Sequence, residues 1–179
     1  RRFGGHGLLS VAMMPTLQDT RRHPELIVGG LIVDQRGDLF LARLAKMEGR
    51  YAIPGGHVEY GETVAQALVR EIAEETGLVP TRYRLLRVAE NICPPLYKDG
   101  THHLVYLDFL IDRWTGDLQL DHEELSDGLW VAPAAALALP LTKSTRMAIE
   151  SYMAQQGGAE CRYEPDPDPH RDCGGPAAA

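Results

Sequence analysis

Apolar and polar positions along the chain follow first a strand period, then a helix period, then a strand period again. Residues 26–33, LIVGGLIV, are a nearly unbroken apolar run of strand length, interrupted by a glycine pair where something passes close by. Asp34-Gln35-Arg36-Gly37-Asp38 supplies a turn and Leu39 to Arg43 returns, which predicts a hairpin. Tyr51-Ala52-Ile53 reads as a short strand delivering the chain to a glycine loop. The period then lengthens: Val64, Ala65, Leu68, Val69 and Ile72 recur at helical spacing as an inward stripe. Glu62 or Thr63 is placed to cap this helix, and Gly77 suits the left-handed position that ends it.

Beyond Pro80, residues 82–90 alternate as a strand, and Asn91 to Thr101, with Pro94-Pro95 and Gly100, reads as a loop. His102 to Asp112 is the clearest later strand, closed by Trp114-Thr115-Gly116-Asp117. Leu125 to Val131 predicts another strand, Pro133 to Leu137 a helical turn, and Ser144 to Gln155 a helix packing through Met147, Ile149 and Tyr152. Helices interspersed with strands predict an α/β fold with a mixed sheet between helices. Length allows one domain, placed at residues 24–156. Residues 1–23 read as an irregular arm: arginines precede a short apolar stretch, but it is closed by Pro15 and lacks a cleavage site, so no signal peptide is expected. Residues 157–179, rich in Gly, Pro, Asp and Ala, have almost nothing to bury and read as a disordered tail. Its Asp166, Asp168 and His170 are separated by prolines and form no metal site.

The polar side of the first helix changes the picture. Glu71, Glu74 and Glu75 stand at i, i+3 and i+4 and share one face. Like charges about 6 Å apart at an effective dielectric of about 20 cost roughly 3 kcal/mol per pair, so the cluster calls for compensation. A divalent cation supplies it, and an all-carboxylate set selects Mg²⁺ or Mn²⁺ over zinc. A solvated acidic face is the plainer reading of an EE pair, but Gly55-Gly56 after Pro54 gives a backbone able to approach a ligand and aim a carbonyl at a metal.

At these residues the chain resembles a known family. Gly56, Glu62, Arg70-Glu71-Ile72, Glu74-Glu75 and Gly77-Leu78 fill all nine specified positions of the Nudix box, over 23 residues. The resemblance to Nudix hydrolases implies an α/β/α sandwich over roughly residues 26–155. It implies Glu74 and Glu75 as the principal metal pair, Glu71 as a further ligand or the group that deprotonates water, and the Gly55 carbonyl as an additional ligand. Glu62 and Arg70 match the partners that orient the cluster, and Arg70 lies four residues before Glu74, within bonding reach on a helix. The family often recruits one more carboxylate from a later loop. Glu123 and Glu124 are placed for it, with Glu124 preferred and Asp108, inside an apolar strand of unknown facing, set behind them. The implied chemistry is attack of a metal-activated water on a diphosphate phosphorus, with no covalent nucleophile.

For the substrate, the stretch LDHEELSDGLWVAPAAALALPLTKSTRMAIESY resembles the nucleoside triphosphatase branch. Pro94, 16 residues past the box, resembles ADP-ribose pyrophosphatases, so ADP-ribose or a nucleoside diphosphate sugar is the runner-up. A non-catalytic nucleotide-binding Nudix protein is the third reading, opposed by the intact box carboxylates. Phe40, Tyr51 and Tyr97 offer rings to a base, and Arg43, Arg50 and Lys98 offer charge to phosphates; Arg43 and Tyr51, with Gly56, are the preferred substrate contacts. A net charge of −7 without a basic stripe excludes long nucleic acid as a partner. No apolar run is long enough to span a membrane. Three cysteines without CxxC spacing suggest neither a disulfide framework nor a zinc site, hence a reducing, cytoplasmic setting. The family allows a homodimer; the sequence does not decide it.

Overall fold

Strand β1, Glu25–Ile32, is hydrogen-bonded along both edges, antiparallel to β4 (Gly55–His57) and parallel to β6 (His103–Thr115). The computed structural model describes residues 23–94, 102–158 and 161–164, the last three by backbone alone. β5 (Val79–Ile92) lies antiparallel on β6, and β8 (Arg162–Glu164) parallel on β5, completing a mixed sheet of order β4-β1-β6-β5-β8. A second sheet, β3-β2-β7, joins Tyr51–Ala52, Leu39–Leu44 and Leu125–Val131. The helices are α1 (Val64–Thr76), α2 (Pro133–Ala136) and α3 (Lys143–Gln156).

Alternation along β1 and β2 feeds two cores. Leu31, Leu39 and Leu41 pack with Ala148, Ile149 and Tyr152 of α3. Ile32, Phe40 and Ala42 pack with Ala67, Leu68 and Ile72 of α1. Period-2 side chains thus face different helices, the α/β/α arrangement expected from the element order.

Several local expectations are corrected. The Asp34–Asp38 turn forms, with Asp34 Oδ1 accepting from the Arg36 and Asp38 amides, but the predicted hairpin shrinks to one bridge, Val33 to Leu39. Both edges of β1 are taken, so β2 leaves for the other sheet. On α1, Ala65 faces solvent and Ala67 is buried in its place. Thr63, not Glu62, is the cap: its hydroxyl accepts from the Gln66 amide and the Gln66 side chain accepts from Thr63 in return. Gly77 closes the helix at φ 72°, as expected. The stretch from Gly157 carries strand β8, which pairs in parallel with the backbone of β5. Cys93 is disulfide-bonded and Cys161 is an exposed free thiol. That overturns the reading of no disulfide, since a rule that looks for regular spacing does not see a single bridge.

Strand β5 departs from simple alternation. Leu85 opposes Phe109 and Arg87 opposes Asp108, so Leu86 is an extra residue, a bulge that turns Leu85 and Arg87 to opposite faces although they are two apart. No helix among the described residues is long and apolar enough to cross a membrane.

Candidate active site

The glycine loop and the second half of α1 meet edge to face. Gly55 has φ +148°, and any Cβ there would collide with the Val28 carbonyl. Its amide, freed from side-chain crowding, donates to Glu75 Oε2 at 2.7 Å. A Cβ on Gly56 would lie 2.5 Å from the Glu71 carboxylate, so glycine at 56 leaves that acid its space.

Glu75 is 4% exposed. Burial raises its pKa most; the Gly55 amide opposes the rise, and Glu71, Glu124 and Asp121 add to it, leaving the group pushed up to about 8. Among the described residues no cation is paired with it. Glu71 and Glu74 are served instead by Arg70, at 2.7 and 3.3 Å. The same guanidinium donates to Glu62 at 2.6 and 3.2 Å and to the His57 carbonyl at 3.1 Å. Hydrogen bonds to Glu62 and Glu71 raise the Arg70 pKa further, and Arg70 in turn holds the Glu62 carboxyl below its ordinary value. The expected Arg70–Glu74 bond is therefore present, but it is the longest in a fan centred on Glu62. Glu74 keeps 62% of its side chain exposed.

The loop before β7 brings a second set of acids. Asp121 Oδ1 accepts from the amides of Glu123, Glu124 and Leu125 at 3.1–3.2 Å, and the Asp121 amide donates to the Glu75 carbonyl at 3.3 Å. This aspartate, which shapes the loop and adds charge near Glu75, was missed in the sequence. Its signal is an acid followed by three amides before a strand, an Asx-type turn. Glu124 Oε1 meets Lys46 Nζ at 2.8 Å.

Glu71, Glu74, Glu75, Asp121, Glu123 and Glu124 line one cavity of about 930 Å³, together with Gly55, Gly56, Lys46, Lys143 and Pro94. Deeper in its lining lies an ion pair, Arg87 Nε to Asp108 Oδ2 at 2.7 Å, both about 1% exposed. Asp108, set aside in the sequence for want of a facing, thus reaches the cavity wall with a cation beside it. Arg43 and Tyr51 do not line the cavity. Tyr51 is 8% exposed within the α3-side core, and Arg43 stacks 4.8 Å over its ring while meeting Gly49 and Asp127. Phe40 is core, and Arg50 donates to the Leu141 carbonyl. Tyr97 and Lys98 lie outside the described residues.

A divalent cation fits this donor set. The donors are oxygen only, and the most buried of them lacks a cationic partner among the described residues. No three His, Cys, Asp or Glu side chains there converge into a ready cage, and Glu71 and Glu74 face Arg70.

The NUDIX domain model matches residues 23–152. An ADP-ribose pyrophosphatase of Methanocaldococcus jannaschii is 40% identical over 98 residues, 54% of this chain and 56% of its own, so the chain spans just over half of that relative. Nucleoside triphosphatase NudI of an Enterobacter species is 32% identical over 124 residues, 65% of this chain and 88% of its own. A MutT NUDIX hydrolase from Burkholderia pseudomallei superposes with a TM-score of 0.63 at 30% identity, covering 72% of this chain and 98% of that one.

Proposed function

The chain belongs to the Nudix hydrolase family, and on that footing we propose that it is a Mg²⁺-dependent pyrophosphohydrolase of nucleoside triphosphates, releasing nucleoside monophosphate and pyrophosphate. The observation that carries this reading is the meeting of Glu71, Glu74, Glu75 and the loop acids at one cavity large enough for a nucleotide. Glu74 and Glu75 are the principal ligands in this reading, with Glu71, Glu124 and the Gly55 carbonyl completing or adjoining the set; Mn²⁺ serves as a substitute. When bound, the cation neutralises phosphate charge and lowers the pKa of a water.

The chain's own residues do the arranging. Arg70, fixed by Glu62, holds Glu71 and Glu74 in reach of one another despite their like charge. Gly56 leaves Glu71 room to face the cavity, either as ligand or as acceptor of the water's proton. Lys46 and Lys143 line the same cavity as cations for the phosphate chain. The complete acid set argues against a binding-only protein.

One observation favours a second reading. Pro94 lines the cavity, and the M. jannaschii relative is named an ADP-ribose pyrophosphatase, so ADP-ribose or a nucleoside diphosphate sugar is the alternative. Product analysis decides. With Mg²⁺ and a panel of triphosphates, ADP-ribose and nucleotide sugars, nucleoside monophosphate plus pyrophosphate is expected. AMP plus ribose 5-phosphate, with triphosphates untouched, would move the assignment to the alternative; no turnover of any of them would leave only the binding protein.

A further inference from the structure

The buried ion pair is tied to the glycine loop from two directions. Gly55, Gly29, Asp108 and Arg87 stand side by side in one row across β4, β1, β6 and β5, each in register with the next. Glycine at 29 leaves the ion pair its room, because a Cβ there would strike Asp108 Oδ1 and lie 2.9 Å from Ile53 Cδ1. The bulge at Leu86 turns Arg87 onto the face where Asp108 stands. The second direction leaves from the guanidinium. Arg87 Nη2 donates to both the carbonyl and the hydroxyl of Ser144, each at 2.9 Å, at the start of α3. The neighbouring Thr145 Oγ1 accepts from the Ile53 amide at 3.1 Å, and the Pro54 carbonyl accepts from the Gly30 amide at 2.9 Å. Ile53 and Pro54 lead directly into Gly55, whose amide holds Glu75. The circuit therefore closes on itself, from Gly55 across the sheet to Arg87, up to α3, and back through Ile53 and Pro54 to Gly55.

We propose that Asp108, Arg87, Ser144 and Thr145 are positioning residues that hold the glycine loop so that the Gly55 amide stays on the Glu75 carboxylate. They touch neither the acids of α1 nor a reacting atom in this role. They act by denying the loop the sideways freedom that its glycines would otherwise give it. The consequence for metal loading rests on the hydrolase reading above; the geometry does not.

The test is amide hydrogen exchange of the metal-free protein, read residue by residue by NMR, beside a Mn²⁺ titration followed by electron paramagnetic resonance. In the double variant Arg87→Leu with Asp108→Leu, which removes both charges together, Gly55 and Ile53 are expected to lose protection about tenfold while Leu68 and Ile72 of α1 keep theirs. Mn²⁺ affinity should fall about tenfold, the scale seen when groups that orient metal ligands are removed. Thr145→Val cuts the same circuit without touching the ion pair and should give the same selective pattern, with the Ile53 amide affected most. It decides the matter if the double variant does not fold. Wild-type protection at Gly55 in Thr145→Val, or an equal loss at every amide, overturns the proposal. Failure of wild-type protein to hydrolyse any diphosphate would instead strike the functional reading and leave the exchange result standing.

Discussion

Glu75 and Asp108 are both carboxylates removed from water at one cavity, and they are compensated in different ways. Asp108 has a guanidinium 2.7 Å away, supplied by the next strand. Glu75 has only a backbone amide, which opposes the rise; burial first, and then its three acidic neighbours, push its pKa up to about 8. One region is electrically finished by the fold; at the other, no cation of the described residues answers the buried acid. In the hydrolase reading, a structural acid and a reactive one differ here less in burial than in who provides the opposite charge.

The largest effect expected on this contrast comes from removing charge at the unfinished end. Glu74→Gln with Glu75→Gln should cut metal-dependent turnover about a thousandfold, measured against circular dichroism that shows the fold retained. Wild-type turnover in that variant would remove α1 from the metal site. At the finished end the sign is reversed, because the charge there is structural. Arg87→Leu alone strands Asp108 and should cost about 3–5 kcal/mol in urea unfolding, whereas adding Asp108→Leu should restore most of it. A single variant as stable as the double would show that the pair is not what satisfies Asp108.

The pH response separates the two ends further. Glu75 binds its proton more tightly folded than unfolded, from an ordinary value of 4.5 to about 8. Between those values the native state holds a proton that the unfolded chain releases, so metal-free stability should decline as pH rises from about 5 to 8, by up to a few kcal/mol. Glu75→Gln should flatten that decline; an unchanged slope would assign it to another group. The smallest effect concerns the loop. Glu124→Gln should slow turnover about tenfold and Glu123→Gln less, and equal wild-type rates for both would remove the loop from the site.

Much of the unfinished end was legible before any coordinates. Its residues lie within one helix and one loop, so spacing alone puts Glu71, Glu74 and Glu75 on a shared face, and Gly77 announces the end of the helix. The finished end was not legible. Asp108 and Arg87 are 21 positions apart, and whether they meet depends on a bulge at Leu86 that no local pattern displays. Counting by twos would put Leu85 and Arg87 on the same face. The hairpin failed for a related reason: β1 and β2 read as partners locally, but the partners of β1 come from residues 55–57 and 103–115. Tyr51 and Arg43 were offered to a ligand because aromatic and cationic side chains suit one. Only the fold reveals that they are already occupied with each other.

The space above Glu71 carries a consequence for how such a site decays. Residues 56 and 71 are linked by excluded volume: the acid occupies the room that any side chain at 56 would claim. Any side chain at 56 would therefore force the acid's carboxylate to move, although no bond joins the two positions. A descendant that gives up hydrolysis is released from both at once. The first heritable trace of such a lapse into mere binding need not be a lost carboxylate; an alanine at 56, silent to any search for missing acids, would already have displaced one.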